Sequence, residues 1–162
     1  MTACLPISEN AVDPASGLVA RRRRALAAWE AMAADAGVAG DGNPGPPAGL
    51  LRDERRHVAR LARELPAIRR DALAAGLGAG ELEGAASAVP LAAPSGPDTL
   101  GAAVDLLAGT LIDERRLQAF CERLAAEAPD ADLRLRALSL ALAVSRHLQG
   151  LQAELARLRA KL

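Results

Sequence analysis

The residues of this chain best suited to chemistry are Glu54 and His57, three positions apart in the stretch DERRHVARL at 53–61. On a helix, that spacing brings both side chains toward one face, with His57 about 60° from Glu54. A carboxylate and an imidazole so placed can share a metal ion. The letters DERR recur at 113–116, where Glu114 takes the place of Glu54 and no histidine follows. The other histidine of the chain is His147.

Glu54-x-x-His57 resembles the half-motif of ferritin-like di-iron bundles. Those use a Glu on one helix and Glu-x-x-His on the next, twice over, to hold two metals. The resemblance implies metal ligands at Glu54, His57, Glu114 and His147. The pattern also departs from that family. Val144 stands where the second Glu-x-x-His has its Glu, and Glu30 falls about 100° off the apolar stripe of its helix. Two Glu and two His would then hold a single ion. His147-Leu-Gln-Gly150 is also similar to the phosphorylated segment of histidine phosphotransfer bundles. Its Gly comes one residue early, and no Lys precedes it.

A second account needs no metal. Glu54 shares a heptad series with Leu61 and Ile68, inside the stripe of Leu51, Val58, Leu61, Leu65 and Ile68. Glu114 shares one with Leu100, Leu107, Cys121 and Ala128. Both acids are therefore aimed at the core, where an ionised carboxylate needs a partner. Arg22 is the candidate, because it falls on the stripe of Leu18, Ala25, Trp29 and Met32. Arg22, Glu54 and Glu114 would then be structural ion pairs that decide which helix lies beside which. An arginine between the acids specifies helix pairing. Acids and histidines meeting with no arginine between them specify a metal.

The elements that must position these groups are helices. Of 162 residues, half are apolar, with no Tyr, one Phe (Phe120) and one Trp (Trp29), so Ala and Leu do the burying. Both favour helices, and the β-branched and aromatic residues of strands are scarce. The chain reads as all-α, a four-helix bundle of two antiparallel hairpins joined by a Gly/Ala/Pro-rich crossover. Residues 1–12 read as a flexible tail and 13–162 as one helical-bundle domain. Asp13-Pro14 starts the first helix, which runs to about Ala36, and 37–47 form a loop. The second helix runs from about Pro47 to Gly76, with a kink or break expected at Pro66. Residues 76–97 form the linker, with room for a short helix near 81–87. Asp98 caps the third helix, and Pro129-Asp130-Ala131-Asp132 stops it and starts the fourth. The seam Leu148, Leu151, Leu155, Leu158 and Leu162 fits either packing inside the bundle or contact with a second copy.

Formal net charge is zero, and nineteen of the twenty basic residues are Arg. A basic excess with aromatic platforms, which a dedicated nucleic-acid binder would show, is absent. The four arginines at 21–24 spread around a helix and form no flat phosphate-binding face. Cys4 and Cys121 have no metal or redox spacing. With no signal peptide or spanning segment, a cytoplasmic protein off the membrane is expected. No serine lies in a nucleophile motif, and no Gly-rich loop cradles phosphate. The expected function is therefore a non-enzymatic accessory or assembly subunit, or adaptor, acting on a protein partner or on itself. It would need no cofactor. The alternatives are a degenerate ferritin-like metal-binding bundle and an arginine-mediated nucleic-acid or ribonucleoprotein subunit.

Overall fold

A computed structural model describes residues 14–39, 48–78, 80–83 and 99–161. Helices α1 (Pro14–Ala39), α2 (Ala48–Ala74), α4 (Thr99–Glu127) and α5 (Ala131–Arg159) form a bundle, with a single turn, α3 (Gly80–Glu83), between its halves. Packing runs α1–α2–α5–α4 and back to α1, so the two hairpins close into a ring. The core is built from Leu and Ala, with Trp29 and Phe120 as its largest aromatic members at 1% and 0% exposure. The expected tail at 1–12, the loop residues 40–47, both aspartate caps at 13 and 98, and linker residues 84–98 lie outside the described residues.

Two local signals act as their chemistry requires. Asp130 is extended (φ −85°, ψ 132°), and its carboxylate accepts the Leu133 N–H at 2.8 Å, which caps α5. Gly76 ends α2 with φ +77°, where the Leu77 N–H reaches the Ala72 carbonyl at 2.9 Å and the Gly76 N–H reaches Leu73 at 3.0 Å. That pair of bonds is a Schellman stop, which favours glycine because a Cβ is strained at positive φ.

One boundary differs from expectation, and one expected break is absent. α1 continues three residues past Ala36, through Gly37, to Ala39. α2 is not broken at Pro66 and runs on to Ala74, close to the expected end near Gly76. Pro66 lies on the exposed side of the helix, while Leu65 and Ile68, at 0% and 1% exposure, anchor the chain on either side of it. Tertiary burial outweighs one missing helical hydrogen bond. Part of the linker also packs: Leu82 of α3 is fully buried, and α3 lies against α1 and α4.

Candidate functional site

All four long helices send a polar side chain to one buried point. Arg22 comes from α1, Glu54 and His57 from α2, Glu114 from α4 and His147 from α5. Arg22, Glu54 and Glu114 side chains are each 1% exposed, and those of His57 and His147 are 5% and 7%. The spacing within α2 explains why that helix supplies two of the five. Glu54 stands one heptad before Leu61, so its side chain points inward, and His57 follows almost a turn later on the same side.

Arg22 lies between the acids. Its Nη2 donates to Glu54 Oε1 at 2.6 Å, and its Nε is 3.2 Å from Glu114 Oε1. Each glutamate also receives a histidine. His57 Nε2 is 3.0 Å from both oxygens of Glu114, and His147 Nε2 is 2.8 Å from Glu54 Oε2. An ionised carboxylate only accepts, so in the hydrogen bond between His57 and Glu114 the imidazole Nε2–H is the donor. Arg22 Nη2 also lies 3.2 Å from His147 Nε2 and donates to it in the tautomer that leaves that nitrogen bare. Among the described residues, Arg22 Nη1 has no hydrogen-bond partner.

Burial alone would push both carboxyls up. Burial is the largest single effect, but Arg22 and His147 at Glu54, and Arg22 and His57 at Glu114, together outweigh it and hold both below their ordinary values. At His57 burial dominates and lowers the imidazole below its usual value, against the opposing pull of Glu114. One guanidinium therefore faces two carboxylates, and these three groups are together one positive charge short.

Next to this cluster, Arg21 donates to both oxygens of Asp113, at 3.1 and 3.3 Å, and ties α1 to α4 a second time. Sequence reasoning missed this pair. Its one signal is adjacency, since Arg21 and Asp113 each immediately precede a core-facing member of the main cluster. Arg23 and Arg24, the rest of the arginine run, are exposed.

Compared with known proteins, the chain matches no family model, no curated protein and no solved structure. Its chemistry is therefore read from the geometry alone. His57, Glu114 and His147 have donor atoms within 4.8 Å of one another, which is close enough to suggest a metal. The ring geometry opposes it. The two imidazoles are stacked, with centroids 4.1 Å apart and planes 13° from parallel. A metal lies in the plane of each ligating ring, about 2.0–2.1 Å from its nitrogen, so nearly parallel rings do not aim at one ion. Arg22 already supplies a cation between the acids, and a divalent ion added to it would turn the deficit of one charge into an excess of one.

The remaining sequence candidates lie elsewhere. Leu148, Leu151, Leu155 and Leu158 are buried within the chain at 6%, 1%, 9% and 1% exposure, and Leu162 is outside the described residues. The leucines of α5 left exposed are others: Leu135, Leu138 and Leu142, at 66%, 48% and 53%. Cys121 is fully buried, and its thiol is pushed up to about 12 by burial, which suppresses the reactive thiolate. No helix among the described residues is long and apolar enough to cross a membrane.

Proposed function

We propose that this chain is a non-enzymatic accessory or assembly subunit that works by presenting its outer helical surface to another protein. The observation that carries this reading is the exposed row Leu135, Leu138 and Leu142, on a helix whose inner seam is already satisfied within the chain. Leucines at such spacing form one stripe, and a stripe of this kind that stays wet in the monomer is a contact surface awaiting a partner. The groups that could have done chemistry support the same reading. Arg22, Glu54, His57, Glu114 and His147 contact one another with side chains below 8% exposure, inside the bundle and not at its surface.

A metal-binding bundle is the second reading, favoured by the closeness of His57, Glu114 and His147. It is the weaker one because of the stacked rings and the arginine between the acids. Nucleic-acid binding gains only the exposed line Arg56, Arg63 and Arg70 on α2. Each of these lies beside a carboxylate, Asp53, Glu64 and Asp71 at 3.8, 3.0 and 3.3 Å, which offsets its charge.

A photoactivatable amino acid placed at 138, and for comparison at the exposed Ala119 of α4, tests the proposal in cells. Protein adducts at 138 and none at 119, with the 138 adducts lost on adding Leu135→Asp and Leu142→Asp, are expected. Equal labelling at both positions, or none at either, sinks it.

A further inference from the structure

On α5, Leu135, Leu138 and Leu142 fall within about 60° of one another and roughly opposite the buried Leu140 and Val144. Around them arginines outnumber carboxylates. Arg134 and Arg146 flank the stripe, both exposed. The recorded hydrogen bond of Arg134 goes to the Ala128 carbonyl at 3.2 Å, and neither arginine has a carboxylate partner among the described residues. The nearest acid on the helix, Asp132, is held by Arg136 at 2.7 Å.

The neighbouring helix adds to the basic excess: its 60–71 stretch carries Arg60, Arg63, Arg69 and Arg70 against Glu64 and Asp71, which pair with some of them. α2 runs antiparallel to α5, as the pairs Glu54–His147 and Asp71–Arg136 show, so its 60–71 stretch lies alongside the leucines. There Arg60 reaches across to the Ser139 hydroxyl at 3.0 Å, and Arg63 and Arg70 extend into solvent with side chains 73% and 76% exposed. Apolar residues in a basic frame define the complement: an apolar row in an acidic frame.

We infer that the outer stripe of α5 receives an amphipathic helix from another protein, with Leu, Ile, Met or Phe at i, i+3 or i+4 and i+7 and with Glu or Asp on its flanks. This rests on the reading of the chain as a protein-binding subunit, and it names the surface and the partner chemistry. A second copy of the chain fits less well, because it would bring arginine-framed stripes face to face. A membrane surface fits less well too. The large apolar residues cover only two turns and include no aromatic residue to sit at a lipid interface.

The test uses the full chain and two labelled helical peptides with the same leucine row, one flanked by Glu and one by Lys, read by fluorescence anisotropy. The Glu-flanked peptide is expected to bind at least about tenfold tighter than the Lys-flanked one, and to weaken as salt is raised. Leu138→Asp should abolish binding, and Arg134→Glu with Arg146→Glu should reverse the peptide preference. These side chains are exposed, and an unchanged circular dichroism melt confirms that the fold survives. Equal affinity for the two peptides, or binding indifferent to Leu138→Asp, overturns the inference. So does sedimentation of a dimer that Leu138→Asp dissolves, or Leu-dependent binding to phosphatidylcholine–phosphatidylglycerol vesicles without peptide binding. Photocrosslinks at 138 to a partner that presents no acidic helix would overturn the partner chemistry while leaving the protein-binding reading standing.

Discussion

His57 and His147 stack with their ring centroids 4.1 Å apart, yet each directs its Nε2 to a different glutamate, on a helix other than its own. His57 of α2 hydrogen-bonds Glu114 of α4, and His147 Nε2 of α5 lies 2.8 Å from Glu54 of α2. Arg22 of α1 contacts both acids. No pair in this set lies within one helix, so each contact is a statement about which helices are neighbours. Such a cluster costs desolvation, and its benefit is specificity of arrangement more than net stability.

Removing Arg22 should be the most damaging single change in the cluster. Arg22→Met leaves two buried carboxylates without a permanent cation, at a cost of about 3–5 kcal/mol in urea denaturation. Arg23→Met, one position on and exposed, should change stability by less than about 0.5 kcal/mol. Equal effects would show that the guanidinium is not the hub.

Acid should unfold the protein in two stages. His57 lies below its ordinary value of 6.5 when folded, so the unfolded chain binds its proton first, and stability present above that pH is lost as pH falls through it. Glu54 and Glu114 lie below their ordinary value of 4.5, so their contribution is present above that pH and is lost as pH falls further. Urea midpoints should therefore be level near neutrality, decline below about pH 6.5 and decline more steeply below about pH 4.5. His57→Gln should flatten the upper stage, and Glu114→Gln should flatten part of the lower one. A midpoint that rises on acidification contradicts the assignment.

Metal should not be part of the folded protein. Chain purified from iron- and zinc-replete cells is expected to carry far less than one equivalent of either. Its melting temperature should not move with chelator, and added cobalt should give no tetrahedral absorption band. One tightly held equivalent, lost with His57→Ala, would restore the metal reading and require the imidazole stack to open.

The two leucine rows of α5 should separate cleanly. Leu151→Asp places a charge in the core at 1% exposure and should cost at least about 3 kcal/mol, enough to unfold a marginal bundle. Leu135→Asp, at 66% exposure, should stay within about 0.5 kcal/mol in the same denaturation series.

The sequence by itself determined the helices, their order and the inward aim of Glu54, Glu114 and Arg22, because helical periodicity fixes the side on which a residue emerges. Asp130 and the Gly76 stop were legible for the same local reason. Only the tertiary structure decided the partners. Periodicity along one helix cannot say which groups on other helices arrive at the same height, so the meeting of Arg22 with both acids was visible only in the fold. So was the parallel stacking of the imidazoles. Burial decided the leucines in the same way. α5 carries leucine on two sides over its first half, and packing against α2 and α4 selects the row of Leu140, Leu148 and Leu151 for the core and leaves Leu135, Leu138 and Leu142 outside. The repeated DERR is one motif in sequence and two different joints in space: Glu54 shares Arg22 with His147, and Glu114 shares it with His57.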